Sequence, residues 1–288
     1  MGLGYRHWTM EDFPWDKFDL SKVDEDQVRI VRAAALVEYN ADDYVKYLSN
    51  VFHDDPEFVQ AAHCWGEEEK MHGLALSRWA GMVPPGYDFP KSFDNFREKI
   101  KLDLQTHQSV RGSRPGELVA RCMVEVGTSS YYSALADATE EPVLKEICRK
   151  IASDELRHYK LFYDHLRRYL KAENVGKFKR LKIAAGRIME TENDELAYAY
   201  YAANHADMPY DREKYNHEYM RRAYAYYRPT HINRGMAMIF KAVGLQPHST
   251  LFKAVAGGAR WYMTKRQRAL ARAADREARQ HGAATAAA

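Results

Sequence analysis

The residues of this chain best suited to chemistry belong to two Glu-x-x-His motifs. Glu69 precedes His72 in WGEEEKMHG, and Glu155 precedes His158 in SDELRHYK. Residues i and i+3 of a helix share one face, so each pair can chelate a single metal ion. Both motifs lie in segments with the apolar periodicity of buried helices, where an unpaired carboxylate is costly. The pairing with histidine indicates a metal ion as the missing partner.

Two further glutamates lie inside apolar helical segments, Glu38 in RAAALVEYN and Glu125 in ARCMVEVGTSS. The order along the chain is Glu, Glu-x-x-His, Glu, Glu-x-x-His, with gaps of 31, 56 and 30 residues between successive glutamates. The two short gaps suit antiparallel helix pairs, and the long gap suits a crossover connection. This order matches the ligand set of ferritin-like di-iron or di-manganese carboxylate bundles.

A single Glu-x-x-His motif is commonly a pair on a solvated helix face, but six residues in this order favour a metal site. Four carboxylates balance the charge of two divalent ions, and oxygen and imidazole ligands suit iron and manganese. We therefore predict two bound iron ions, with manganese as the alternative. The predicted ligands are Glu38, Glu69, His72, Glu125, Glu155 and His158. For Glu67 and Glu68 we expect solvated positions or contacts to the ligands instead of ligation.

The elements that must position these ligands are helices, because apolar residues recur at helical spacing almost throughout the chain. We predict an all-α fold, in which residues 1–172 form a ferritin-like four-helix bundle and 173–288 form additional helices packed on it. The first part is predicted to contain four long helices, 24–51, 56–81, 116–138 and 142–171. A shorter connecting helix is predicted for 92–106. The predicted loops are 84–90 and 111–116. The tail HGAATAAA, 281–288, is expected to be disordered.

Composition restricts the class of protein further. The 288 residues are 46% hydrophobic, with a mean hydropathy of −0.61 and a net charge of +3. No apolar run reaches the roughly 18–20 residues of a membrane span, and the first residues lack the apolar block of a signal peptide. The three cysteines form no CxxC pair and no disulfide framework. These features predict a cytoplasmic protein. Neither a glycine-rich phosphate loop nor a nucleic-acid-binding motif is found, so no nucleic-acid partner is expected.

Around both motifs the sequence resembles the soluble acyl-carrier-protein desaturases of the ferritin-like superfamily. The resemblance covers about 30–171 and is densest in ICRKIASDELRH, 147–158. CWGEEEKMHG is similar to that family's first motif, including Trp65 four residues before Glu69. The resemblance implies that the six predicted residues are ligands and that Trp65 lies close behind them. It also implies that Asp154 hydrogen-bonds a ligand imidazole and that Thr128 lies near the O2-binding face and takes part in catalysis.

The resemblance implies an O2-dependent di-iron oxidoreductase that desaturates or hydroxylates a fatty-acyl or lipid chain. The substrate would be bound to acyl carrier protein or free, and electrons would come from an external donor such as ferredoxin. Two departures leave the substrate open: residues 173–288 do not resemble the desaturases, and Tyr159 replaces an acid of the plant-type pattern. The alternatives are a ferritin- or rubrerythrin-like protein that oxidises iron or scavenges peroxide, and another di-iron oxygenase such as an aldehyde-deformylating enzyme.

Two surfaces are candidates for partners. An apolar channel for an acyl chain would be lined by residues on the ligand faces of the helices, with the C-terminal half as its wall. The candidate lining residues are Val31, Val45, Leu118, Tyr132 and Phe162. The segment 259–280 carries seven Lys or Arg against two acids, so it would dock an acidic carrier protein or an anionic membrane surface, or remain a solvated helix. Self-association into a homodimer is left open.

Overall fold

The computed structural model describes residues 7–100, 104–190 and 194–286, and the last helix from 274 on by its backbone alone. These residues form helices and connecting loops and contain no strand, which confirms the all-α prediction. The helices are α1 (Glu25–Tyr39), α2 (Ala41–Val51), α3 (Pro56–Met82), α4 (Phe89–Lys99), α5 (Arg114–Ala138), α6 (Pro142–Ala172), α7 (Lys177–Glu190), α8 (Asp194–Asn204), α9 (Arg212–Ala225), α10 (Pro229–Val243) and α11 (Thr250–Ala286). Short 3-10 turns precede α1 between Met10 and Lys22.

Helix starts follow local capping chemistry. The Asp55 carboxylate accepts a hydrogen bond from the Phe58 N–H at the start of α3, and Pro56 occupies the first turn. Glu141 and Pro142 begin α6 in the same way. An acceptor on the N-cap side chain satisfies a free helical N–H, and proline needs no such partner. The predicted spans of α3 and α6 are therefore confirmed within one residue at each end.

Three predicted boundaries were wrong. The single helix predicted for 24–51 breaks at Asn40, where the backbone leaves the helical conformation. The Asn40 side chain accepts a hydrogen bond from Arg97. The helix predicted for 92–106 spans 89–99, because Asp88 caps it earlier; 101–103 lie outside the described residues. Helix α5 begins at 114 instead of 116, since the Ser113 hydroxyl accepts from the Gly116 N–H.

The four helices that carry the predicted ligands pack as two pairs. Helix α5 lies along α6, connected by a short turn, and α1 lies along α3. A Cβ added at Gly73 would lie near Tyr39 and Ala35, and one at Gly66 would lie near Val45. From Gly66 to Gly73 along α3, the facing residue changes from Val45 back to Tyr39 and Ala35. Helix α3 therefore runs antiparallel to α1 and α2. Contacts between α3 and α6 connect the two pairs.

Most of the apolar core belongs to two large clusters, and the predicted ligands lie between them; a third, small cluster joins α10 to α11. Along α3, Trp65 belongs to one cluster and Ala75 to the other. Along α6, Ala152 belongs to the same cluster as Ala75, and Tyr159 belongs to the same cluster as Trp65. Glu69 and Glu155 fall between these positions. The polar residues thus form a layer across the middle of the helices, with apolar packing above and below.

The C-terminal helices share these cores. Helices α8 and α9 pack on α1, while α7 and α10 pack on α5. Gly235 of α10 lies close to Ser130 and Val126 of α5. The division of the chain near 172–176 into two units stays a prediction, as does the disorder expected for 281–288. Helix α11 continues to Ala286, and residues 287–288 lie outside the described part. Among the helices of the described residues, none has the length and apolar character to cross a membrane.

The close approach of α1 and α3 at Gly73 generates the first prediction. A methyl group there would lie 2.8 Å from the Tyr39 backbone nitrogen and 2.9 Å from the Ala35 carbonyl oxygen. Backbone atoms yield less than side chains, so Gly73→Ala should lower the free energy of unfolding by about 1–3 kcal/mol. Gly81→Ala, in the same helix and with open space around it, is the control. It should be neutral or stabilising by up to about 1 kcal/mol. Urea unfolding of both variants measures the difference, and equal stabilities would contradict the packing argument.

Candidate metal centre

The structure brings all six predicted ligands together inside the protein. They fall into two groups of four whose potential donor atoms lie within 4.8 Å of one another. Every one of the six residues is buried. Glu69 and Glu155 belong to both groups, while Glu38 belongs only to the first and Glu125 only to the second. Their ligation of an ion stays a prediction.

The two shared glutamates each face both imidazoles. The Nδ1 atom of His72 lies 3.5 Å from Glu69 Oε2 and 3.2 Å from Glu155 Oε1. The Nδ1 atom of His158 lies 3.1 Å from Glu69 Oε1 and 3.9 Å from Glu155 Oε2. The two oxygens of each carboxylate therefore point toward different imidazoles. This is the arrangement by which a carboxylate bridges two ions.

The other two glutamates complete one group each from opposite sides. Glu38 Oε2 lies 3.8 Å from His72 Nδ1, and Glu125 Oε2 lies 3.7 Å from His158 Nδ1. Glu38 comes from α1 and Glu125 from α5, so each helix pair supplies one Glu and one Glu-x-x-His motif. The two groups are nearly symmetric as a result.

The donor atoms fit a pair of cations. Among the described residues, Nδ1 of His72 and of His158, both oxygens of Glu125 and Oε1 of Glu155 are buried without a hydrogen-bond partner. A buried polar atom without a partner costs about 1–3 kcal/mol, and more when it is charged. Unsatisfied atoms converging on one point would be a large penalty for the protein alone. Divalent cations between them would satisfy every one of these atoms.

Electrostatics within the cluster support the same reading. Burial, and then the charge of neighbouring Glu69, raises the pKa of Glu38 well above its ordinary value. Burial, and then the charge of Glu155, raises the pKa of Glu125 well above its ordinary value. Without a cation these two carboxyl groups are therefore harder to ionise than exposed ones. Cation binding would therefore release protons, as is general for carboxylate metal sites.

Both imidazoles are held by acids on their outer side. His72 Nε2 lies 3.1 Å from Asp154 Oδ2, and His158 Nε2 lies 2.7 Å from Glu68 Oε2. Each ring thus directs Nε2 toward an outer acid and Nδ1 toward the carboxylates of the cluster. Glu67 behaves differently from Glu68: its side chain is 74% exposed and pairs with Lys70.

Asp154 connects the centre to the start of the chain. Its Oδ2 accepts hydrogen bonds from Trp8 Nε1 at 2.7 Å and lies 3.1 Å from His7 Nε2, while Oδ1 accepts from Arg157 at 2.6 Å. Burial would raise the pKa of Asp154, but the hydrogen bonds from His7 and His72 hold it well below its usual range. Sequence reasoning missed His7 and Trp8, because no local pattern indicates a contact across 146 residues.

Two hydroxyl groups bind the ligand carboxylates directly. Thr128 Oγ1 donates to Glu155 Oε2 at 2.6 Å, and the Tyr132 hydroxyl donates to Glu38 Oε1 at 2.5 Å. The catalytic role predicted for Thr128 stays a prediction. The hydrogen bond of Tyr132 to Glu38 was not predicted, although Tyr132 lies seven residues, about two helical turns, after Glu125. Trp65 is buried, with its ring 6.5 Å from that of His158.

A cavity of about 170 Å³ adjoins the centre, and Glu38 and Thr128 are among the residues that line it. Tyr132 lines it too, as predicted. The other four candidates were wrong as lining residues: Val31, Val45, Leu118 and Phe162 are buried in the two cores. Val31, Leu118 and Phe162 lie about two turns, roughly 10 Å, from a predicted ligand on the same helix, which places them in the apolar layers. Val45 lies on α2, beyond the break at Asn40.

The C-terminal half supplies much of the cavity wall. Helix α9 contributes Tyr219, Met220 and Ala223, and α8 contributes Leu196 and Glu195. Helix α7 adds the charged residues Arg187 and Glu190. Most of these side chains are apolar. The sequence predicted such a wall in general terms but named none of these residues.

Comparisons with known proteins leave the family open. No protein-family model matches the chain, and no curated protein matches it. The resemblance to acyl-carrier-protein desaturases therefore rests on the motifs alone.

The geometry predicts the number of bound ions. Protein purified without metal and then loaded with Fe(II) should hold about two ions per chain, because the donor atoms form two groups. Glu125→Ala should lose most of this binding, since Glu125 contributes two buried oxygens without partners. Glu67→Ala, in an exposed position of the same motif region, should bind like the wild type. Metal analysis after removal of free iron measures the count, and equal binding by both variants would contradict the assignment.

The contact between Asp154 and His72 generates another prediction. Asp154→Asn should weaken metal binding by about 10–100-fold, since loss of the charge that orients His72 lowers ligand basicity. Asp164→Asn is the matched control on the same helix, because Asp164 is exposed and pairs only with Lys160. Titration with Fe(II) or Mn(II) gives both affinities. An Asp154 variant with unchanged affinity would show that the ring orientation does not depend on this contact.

Proposed function

We propose that the protein is a di-iron carboxylate oxidoreductase of the ferritin-like superfamily, similar to the acyl-carrier-protein desaturases. It would use O2 to desaturate or hydroxylate a fatty-acyl or lipid chain. One observation carries this proposal: a buried donor set for two ions adjoins a cavity with a largely apolar lining. A metal site alone is compatible with many functions, but the cavity provides room for an organic chain beside it.

The arrangement of helices supports membership of that superfamily. Helices α1, α3, α5 and α6 carry one Glu or one Glu-x-x-His motif each, and they pack as two antiparallel pairs. Ferritin-like di-iron bundles have this distribution of ligands over four helices. Helices α7–α11 would then be an addition to the bundle.

The chain's own residues would prepare the centre for such chemistry. Glu38, Glu69, His72 and Glu155 would hold one ion, and Glu69, Glu125, Glu155 and His158 would hold the other. Oxygen and imidazole donors suit iron and manganese, and bound iron would supply the reduction of O2 and the removal of hydrogen from carbon. Asp154 and Glu68 would keep the imidazoles in the tautomer that ligates.

The hydroxyl groups would control the carboxylates that face the cavity. Tyr132 donates a hydrogen bond to Glu38, and Thr128 donates one to Glu155. These bonds hold the two carboxylates in place on the side where a substrate would lie. Tight apolar packing on both sides of the polar layer would exclude water from the reacting carbon.

The cavity favours a slender apolar chain as substrate. Tyr131, Leu196, Met220 and Ala223 offer apolar surface close to Glu38. An unactivated carbon reacts only when it is held in contact with the centre, which a narrow cavity can impose. We propose that the head group, or an acyl carrier protein attached to it, stays outside the cavity.

The electrons would come from another protein. Cys64 is exposed, while Cys122 and Cys148 are buried, and the three are unpaired. They form no CxxC arrangement that would bind a relay iron. A separate donor such as ferredoxin is the partner that this composition implies, and a cytoplasmic location fits it.

The cavity provides a test of the proposed substrate class. Ala223→Leu should fill part of the cavity wall and reduce substrate oxidation by at least about tenfold, while iron binding remains unchanged. Ala225→Leu, two residues later and exposed, is the control and should behave like the wild type. Reduced, iron-loaded protein is incubated with O2 and a panel of acyl-carrier-protein, acyl-CoA and free-lipid substrates, and mass spectrometry reads the products.

The products separate the candidate reactions. A loss of two hydrogens indicates desaturation, and a gain of one oxygen indicates hydroxylation. If no panel member changes while Fe(II) is rapidly oxidised and retained, an iron-oxidising function replaces the proposal. Loss of activity in both Ala223→Leu and Ala225→Leu would contradict the role of the cavity.

A further inference from the structure

The last helix presents an exposed tryptophan. Phe252 and Leu270 of α11 are buried against the rest of the protein, and Trp261 lies nine residues from each. Nine residues are two and a half turns of an α-helix, so Trp261 lies on the opposite face. Its side chain is 65% exposed, whereas tryptophan is usually mostly buried. This exposure raises the question of what covers the side chain.

Cations lie on the same face. Lys265, Arg268 and Arg272 follow Trp261 by four, seven and eleven residues, which is the spacing of a single helical stripe. All three side chains are exposed. The Lys265 ammonium lies 5.1 Å from the centre of the Trp261 ring. One line of the helix therefore carries an aromatic side chain followed by three cations.

Three more hydrophobic side chains border this stripe. Leu251, Val255 and Tyr262 are 55%, 41% and 54% exposed. Their spacing of i, i+4 and i+11 puts them on one side of the helix. We call these residues together the α11 surface: Leu251, Val255, Trp261, Tyr262, Lys265, Arg268 and Arg272.

No acid offsets the positive charge in this part of α11. Residues 250–273 contain six Lys or Arg and neither Asp nor Glu. A groove of about 780 Å³ beside the helix adds Arg234 and Lys241 of α10, and no carboxylate occurs among the described residues that line it. The charge on residues 250–273 and in this groove is therefore of one sign, which attracts an anionic surface over a distance of about a Debye length.

We propose that the α11 surface binds an anionic lipid bilayer. Tryptophan and tyrosine favour the level of the lipid headgroups, and exposed aliphatic side chains favour the acyl boundary beneath them. Lys and Arg beside them attract anionic headgroups. The exposed side chains of this surface project from one helix without converging on a shared pocket, and a fluid interface accepts such a row of side chains. The contact is peripheral, and it does not depend on the metal centre.

Vesicle sedimentation tests the proposal with the full-length, iron-loaded protein. The wild type should bind vesicles that contain phosphatidylglycerol and should bind pure phosphatidylcholine vesicles weakly, with affinity falling as salt is added. The triple variant Lys265→Gln, Arg268→Gln, Arg272→Gln should bind on the order of 100-fold more weakly. The control variants are Lys91→Gln, an exposed cation of α4, and Val110→Ser, an exposed apolar side chain of a loop. Both should bind like the wild type.

Fluorescence identifies the side chain that enters the interface. Tryptophan emission should shift to shorter wavelength on anionic vesicles, and the shift should be lost in Trp261→Phe, which still binds. Unchanged melting temperatures would show that each variant is folded. Equal vesicle binding by the wild type and the triple variant would overturn the proposal. So would a wild type that ignores anionic vesicles but binds an acidic acyl carrier protein through the same cations.

Discussion

The structure depends on the need to neutralise four buried carboxylates that lie between two apolar cores. Each of them would cost several kcal/mol if left charged and alone in this environment. Proton uptake by Glu38 and Glu125 is one solution, and cations shared by Glu69 and Glu155 are the other. The geometry is compatible with the second, because the donor atoms converge from four helices and several of them lack a hydrogen-bond partner among the described residues.

The surrounding residues act through the same constraint. Asp154 and Glu68 carry negative charge behind the imidazoles, which strengthens the rings as donors toward the interior. Tyr132 and Thr128 place neutral donors on the carboxylates near the cavity. Charge is thus arranged in shells, with acids inside, imidazoles between the two acidic layers, and cationic Arg157 bound to Asp154 farther out. Covering helices α8 and α9 keep the cavity side of this arrangement largely apolar.

The sequence predicted those parts of the protein that depend on local pattern. The Glu-x-x-His spacing, the capping residues and the helical periodicity led to the six residues that cluster and to the bounds of α3 and α6 within one residue. It did not predict the break at Asn40, where the side chain accepts a hydrogen bond from Arg97, a contact between distant segments that local pattern does not indicate. For the same reason the sequence did not predict the contact of Trp8 with Asp154 or the residues of α8 and α9 that line the cavity. Packing between segments far apart in sequence leaves no periodic signal.

Gly73 has a consequence for the choice of ion. It lies directly after His72, and the backbone of α1 approaches it next to Glu38. The first group of donors is therefore built where two helices are already as close as their backbones allow. Calcium takes six to eight oxygens at about 2.3–2.6 Å, whereas smaller divalent ions need fewer donors at shorter distance. Helices held together by a glycine cannot easily spread to admit the larger ion, so the same contact that fixes the fold would also select ions by radius.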